Sequence, residues 1–289
     1  QNYSKIFTVS IRTPQIHGGW ETNLESRTIY EREENNYEAK GNIDGKEGTT
    51  GLQIYDRLAS RDDIELLLID ETKRKDPDER KKLINAADIT FARIIDASTA
   101  HRTAPGWAYG IPELSAAHKY AVVNAKFTAN PGCHASGFVI PVYPLVASGM
   151  IPKETPLTVF SLTGYSGGGK KMIAEYESPE KPELYNTPRI YGLSLKHKHL
   201  PEMQKICGLD IPPVFCPIVD DYYKGMAVTV MLQNSMLKGN PTAKDIHGAL
   251  AAHYDGKKVI KVHPFGYEDP MIAAGTMAGK DSMELVVKE

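Results

Sequence analysis

The apolar positions of the chain change rhythm twice. Beyond Gly41, Gly45, Gly48 and Gly51 punctuate a turn, and Leu52, Ile54, Tyr55 and Leu58 then recur at helical spacing until Arg61-Asp62-Asp63 ends the run. Ile64-Glu65-Leu66-Leu67-Leu68-Ile69 follows as a buried strand. Lys81-Lys82 lies on a short helix leading to Ala87–Phe91, and Arg93-Ile94-Ile95-Asp96 is again strand-like. Turn, helix, strand, helix, strand predicts a Rossmann-like α/β domain with a doubly wound sheet over residues 41–130.

After Asn130-Pro131-Gly132 the order alters. The pattern predicts helices near 135–149, 200–208 and 242–254, and strands near 156–163, 188–195, 213–218, 225–232, 258–262 and 283–287. Residues 131–289 are therefore expected to form an α+β domain with a largely antiparallel sheet. Residues 1–40 show no sustained period and stay unassigned; Tyr37–Asn42 is a poor strand by pattern. One joint breaks the first domain's rhythm. Phe91-Ala92 runs straight into Arg93-Ile94, whereas a helical crossover between parallel strands needs about a dozen residues. The dinucleotide-type domain is thus expected to be truncated there.

Bulk properties narrow the function. The 289 residues carry 34 basic and 36 acidic side chains, interspersed, for a net charge of -2, which argues against a nucleic-acid partner. Cys133, Cys207 and Cys216 form no CxxC pair, so neither a disulfide framework nor a metal site is expected and a reducing, cytoplasmic setting is. No apolar run approaches the roughly 20 residues that span a bilayer, and no secretory pattern opens the sequence.

Candidate chemistry sits at the punctuation. The loop Gly45-Lys46-Glu47-Gly48-Thr49-Thr50-Gly51 suits a dinucleotide pyrophosphate, although such turns are as often structural. Asp70, ending the next strand, could bind the ribose 2′-hydroxyl of NAD, and Lys73-Arg74-Lys75 the 2′-phosphate of NADP; a solvated charge run is the bland alternative. Cys133 follows a Pro-Gly turn and opens an apolar helix, where unpaired amides and the helix dipole favour thiolate and a titration below the free value of about 8.5. A buried, inert cysteine is the competing reading. Lys196-His197-Lys198-His199-Leu200-Pro201-Glu202 offers two imidazoles for acid–base work, or two packing histidines. Gly164-Tyr165-Ser166-Gly167-Gly168-Gly169-Lys170-Lys171 and Arg102 are candidates for anion binding, against a plain flexible loop and a surface ion pair.

Five strings together carry a resemblance: Asp44–Gln53, Ile95-Asp96-Ala97-Ser98-Thr99-Ala100-His101-Arg102-Thr103, Asn130-Pro131-Gly132-Cys133, Gly164–Lys170 and His197–Glu202. From about Ile43 onward the chain resembles the N-acetyl-gamma-glutamyl-phosphate reductases of arginine biosynthesis, in their shorter form. The resemblance implies NADPH-dependent reduction of an acyl phosphate, N-acetylglutamyl 5-phosphate, to the semialdehyde through a thioester on Cys133. It implies acid–base work by His197 or His199, substrate binding by Arg102, Ser166, Gly167 and Glu202, and NADP binding by Gly45, Gly48, Thr49, Thr50, Gly51 and Arg74. It also implies a homo-oligomer. Two alternatives stay open: an aspartate-semialdehyde type of dehydrogenase, which the His197–Glu202 string disfavours, and a non-catalytic relative with an incomplete cofactor site.

Overall fold

The computed structural model describes residues 4–10, 39–42, 64–73, 76–86 and 94–289. The chain divides into two compact units, one of Gln15–Ala92 and one of Gln1–Pro14 with Arg93–Glu289. The boundary thus falls at the short joint after Ala92 instead of near Asn130. The physical reason lies in the contacts of the following segment: the Asn130 amide donates to the Asp96 carbonyl (2.7 Å), and Arg102 pairs with Glu202 a hundred residues later in the chain.

The larger unit begins with β1 (Ser4–Ser10), a strand in the segment that pattern left unassigned. In the smaller unit, β2 (Ala39–Asn42) pairs in parallel with β3 (Ile64–Leu67), in register from Ala39↔Ile64 to Asn42↔Leu67. The span 43–63 between them exceeds the dozen or so residues a parallel crossover needs. Ladder pairing, not alternation of side chains, makes Ala39–Asn42 a strand. A 3-10 turn, Glu71–Lys73, leads to α1 (Pro77–Ala86), which Asp76 caps by accepting from the Asp78 amide at 2.9 Å and which has Pro77 at its first position.

The larger unit resumes with β4 (Ile94–Asp96), β5 (Ala108–Tyr109), a 3-10 turn at Pro112–Leu114, α2 (Ala116–Asn124), β6 (Phe127–Ala129) and α3 (Cys133–Ala147). Next come β7 (Thr158–Gly164), α4 (Gly169–Tyr176), β8 (Arg189–Ile190), α5 (Leu200–Cys207), β9 (Val214–Asp220), β10 (Met226–Gln233), α6 (Ala243–His253), β11 (Ile260–Val262) and β12 (Met283–Lys288). Seven strands form one sheet in the order β11-β12-β1-β10-β7-β9-β8, antiparallel except at β11/β12 and β7/β9. Four of its six strand pairs are antiparallel, so the sheet is largely antiparallel as expected, with two parallel pairs. β4, β6 and β5 form a separate parallel sheet, distinct from β2–β3 among the described residues. The joint after Ala92, where truncation of the doubly wound pattern is expected, lies outside the described residues.

The core is built on α3. Phe138, Val139, Val142 and Leu145 are fully buried, and the helix packs on α5, α6 and β10. Burying each such side chain stabilises the fold by about 1.5–3 kcal/mol. Pro144 lies inside the helix and has no amide hydrogen to give to the Ile140 carbonyl, and the Tyr254 hydroxyl donates to that carbonyl instead at 2.6 Å. α3, whose first residue is Cys133, is thereby tied to α6's C-terminal end through Tyr254. On β7 the alternation is inverted: Val159, Ser161 and Thr163 point into the core, whereas Phe160 and Leu162 are 38% and 37% exposed on the opposite face. Among the described residues no helix is long and apolar enough to cross a membrane.

Candidate active site

Cys133 opens α3 and Gly132 is its cap, in extended conformation with φ -72° and ψ 142°. The strand β6 delivers the chain to this turn, and Ser136 ties it down from inside the helix, its amide donating to the Gly132 carbonyl at 2.8 Å and its hydroxyl at 3.0 Å. The turn is also held from behind. Glu202, on the first turn of α5 and 1% exposed, accepts from the Gly132 amide at 2.9 Å and from the Tyr109 hydroxyl at 3.1 Å through Oε2. Its Oε1 accepts from Arg102 Nη1 at 2.7 Å, an almost fully buried ion pair. Arg102 also donates from Nε to the Asn130 carbonyl and from Nη2 to the Ala97 carbonyl, both at 3.0 Å.

The predicted histidines converge on the same turn. A methyl group on Gly132 would lie 2.5 Å from His199 Nε2 and 2.6 Å from Arg102 Nη1, so the glycine's missing side chain is where the imidazole sits. His197 lies against His199, with ring centroids 4.7 Å apart, and its Nδ1 accepts from the His199 amide at 3.2 Å. Among the described residues, His199 Nδ1 is buried with no hydrogen-bond partner. A third imidazole, His134, completes the cluster 5.5 Å from each of the other two rings. His134 Nδ1 pairs with Ser161 Oγ at 2.6 Å and Nε2 with the Tyr191 hydroxyl at 2.7 Å. The inverted alternation of β7 now has a reason, since it turns Ser161 inward to this imidazole.

Burial sets the electrostatics. It lowers His134 to about 3 and His197 to about 4, with Lys198 adding to both, and pushes His199 far below the usual imidazole range. All three are neutral at physiological pH, and a neutral imidazole can take a proton. Cys133 behaves differently from the expectation drawn from its helix position. Burial raises its thiol above the ordinary value of 9.0, outweighing the His134 amide, Arg102 and Lys198, which pull it down. Cys133 therefore rests as a thiol. Alkylation of Cys133 by iodoacetamide, read by peptide mass spectrometry, is expected to accelerate with pH through 9 with no plateau below it. A plateau already reached at pH 7 contradicts this.

Ser166 and Gly167 lie in a 3-10 turn after β7 that is stitched to the 222–225 turn, the Ser166 amide donating to the Tyr223 carbonyl at 3.0 Å and the Gly164 amide to the Gly225 carbonyl at 3.1 Å. Gly45, Gly48, Thr49, Thr50, Gly51 and Arg74 lie outside the described residues. Sequence reasoning missed Tyr109, Ser161 and Tyr191 as members of the cluster, because a single polar residue on a strand or just past its end carries no periodic signal. His134 had one: it is the residue that follows Cys133 in the chain.

Residues 133–288 match the family model described as the semialdehyde dehydrogenase, dimerisation domain, which sets the class. Among solved structures, aspartate semialdehyde dehydrogenase II from Vibrio cholerae complexed with ASA aligns with TM-score 0.57 at 14% identity, covering 85% of this chain and 86% of that one; this is likeness of fold. Among curated proteins, N-acetyl-gamma-glutamyl-phosphate reductase 2 of Nostoc sp. (strain PCC 7120) is 43% identical, covering 80% of this chain and 78% of its own. The N-acetyl-gamma-glutamyl-phosphate reductase of Brucella ovis is 41% identical, covering 85% and 86%. The chain belongs to the N-acetyl-gamma-glutamyl-phosphate reductase family.

Proposed function

We propose that the protein reduces N-acetylglutamyl 5-phosphate to N-acetylglutamate 5-semialdehyde with NADPH, by way of a thioester on Cys133. The carrying observation is the thiol at the head of α3 with neutral His199 packed over Gly132, the residue before it. His199 takes the thiol proton, sulfur attacks the acyl carbon, and the carbon–oxygen bond to phosphate breaks as inorganic phosphate leaves. NADPH, when bound, supplies hydride to the thioester carbonyl. The imidazolium formed in the first step is then the acid available to the developing alkoxide, and collapse of the thiohemiacetal returns the thiol and frees the aldehyde. His197 supports His199 through its ring contact.

The described part of the smaller unit fits a dinucleotide. β2 ends at Asn42, immediately before the glycine loop, and runs parallel to β3, after which Asp70 and Lys73 follow. Asp70 Oδ1 is engaged by Thr72, accepting from its amide at 2.8 Å and its hydroxyl at 2.6 Å, whereas among the described residues the ion pair of Lys73 is an exposed one with Glu79 at 3.5 Å. Exposed pairs are worth about 0–1 kcal/mol, so Lys73 can turn to a 2′-phosphate at little cost, which favours NADP over NAD.

The outward face of the large sheet, with Phe160, Leu162 and Val214 exposed, is proposed to pair two copies of the chain. Leu162→Arg is expected to reduce the mass measured by size-exclusion light scattering to that of one chain; an unchanged mass places the interface elsewhere.

The function is tested by incubating the protein with N-acetylglutamate 5-semialdehyde, inorganic phosphate and NADP and following NADPH. Phosphate-dependent NADPH formation is expected. Turnover of aspartate semialdehyde in its place transfers the chain to the related dehydrogenases, and no turnover with either, together with no NADPH binding, leaves a non-catalytic relative.

A further inference from the structure

Glu202 is a buried carboxylate with a proton-transfer site on one side and no open space of its own. Its two oxygens are committed to Arg102, Gly132 and Tyr109, at 2.7, 2.9 and 3.1 Å, and the residue is 1% exposed. These partners come from three separate segments: the loop after β4, the turn before α3, and β5. From the geometry we infer that Glu202 is a positioning residue: it fixes the Gly132–Cys133 turn and Arg102 relative to one another, and does not touch substrate.

The argument runs through Gly132. Its amide, immediately ahead of the helix, donates to the buried carboxylate, which fixes the turn that carries Cys133. The same carboxylate draws the Arg102 guanidinium to within van der Waals reach of the Gly132 α-carbon, on the side where His199 also packs. With Nε, Nη1 and Nη2 each donating to protein, Arg102 has two N–H groups left for an anion, in a direction fixed by the ion pair. A buried pair of this kind adds little to stability by itself and serves geometry. Glu202 is thus to the cysteine turn what a second-layer carboxylate is to a catalytic histidine.

This inference rests on the thioester reading, and its test separates the two. Glu202→Gln and Tyr109→Phe are compared with the unaltered protein, after thermal melts establish that each is folded. In reduction of the acyl phosphate, Glu202→Gln is expected to lower kcat by about tenfold to a hundredfold while KM stays within about threefold; Tyr109→Phe, which removes one bond, lowers kcat by about threefold at unchanged KM. The second arm needs no substrate. The charges that face the Cys133 thiol are Arg102, Lys198 and Glu202, with the neutral His199, His134 and Tyr191 beside them. Removing the Glu202 charge leaves Arg102 unbalanced, so the pH midpoint of Cys133 alkylation is expected to fall. A raised KM at unchanged kcat, or an unmoved midpoint, overturns the proposal. Absent turnover in the unaltered protein sinks the thioester reading alone, and the alkylation arm still decides the role of Glu202. Should Glu202→Gln not fold, Tyr109→Phe decides it through the split between kcat and KM.

Discussion

Cys133→Ser is expected to abolish reduction, with kcat/KM falling by about a thousandfold or more, equivalent to about 4 kcal/mol of transition-state stabilisation. The replacement is close to isosteric at a half-buried position, so the turn, the helix start and the histidine cluster stay in place. What changes is the nucleophile. A serine hydroxyl ionises far above a thiol, and the neutral imidazoles around it are already displaced toward weak basicity by burial, His197 to about 4. They can take a thiol proton as a thioester forms; the hydroxyl proton is much harder to remove. The assay is NADPH formation from semialdehyde and phosphate. Turnover within about tenfold of the unaltered protein would mean that sulfur is not the nucleophile.

Gly132→Ala is expected to be the most damaging substitution that removes no chemical group. The backbone at Gly132 is extended with a negative φ, so alanine is conformationally acceptable and the amide that Glu202 holds is retained. The added methyl meets His199 Nε2 at 2.5 Å and Arg102 Nη1 at 2.6 Å, closer than real contacts permit. His199 is 4% exposed and Arg102 is tied by three hydrogen bonds, so neither swings away freely. Overpacking of this kind costs about 1–3 kcal/mol of stability. The larger effect is on rate, because a displacement of about 1 Å at a reacting centre can cost about a hundredfold. A folded Gly132→Ala protein with kcat within about threefold of the unaltered one would show that His199 is not the working base.

Some of this was legible from sequence, and the reasons are local. The Pro-Gly turn ahead of a long apolar run located the head of α3 to within two residues of Cys133, and the paired proline and acid in Leu200-Pro201-Glu202 located α5. The long strands β7, β9, β10 and β12 were readable because their apolar content spans five residues or more. β5 and β6, of two and three residues, are too short to show a period. The strand expected over 188–195 stops at Ile190, because Gly192 and Leu195 take positive φ and the chain turns toward His197. The placement of β1 between β10 and β12 is a pairing across more than two hundred residues, which no local pattern encodes.

The site divides in the same way. Cys133, His197 and His199 announced themselves as residue types beside turns. The role of Glu202 did not, because it depends on Gly132, Arg102 and Tyr109, which lie 70, 100 and 93 residues away in the chain. The thiol's electrostatics were misjudged from sequence for a related reason. The helix start and nearby cations are visible in a string of letters, whereas the burial that outweighs them is a property of the folded core. β4 pairs in parallel with β6, a partner some thirty residues on that no local pattern names.

The central claim is a thioester on Cys133, and the direct measurement is to trap it. The protein is mixed with N-acetylglutamyl 5-phosphate without NADPH, quenched in acid, and its intact mass and peptides are recorded. The account predicts one N-acetylglutamyl adduct per chain, located on the peptide containing Cys133 and absent from the Cys133→Ser protein. Turnover by a protein that never carries the adduct, or carries it on another residue, would contradict it.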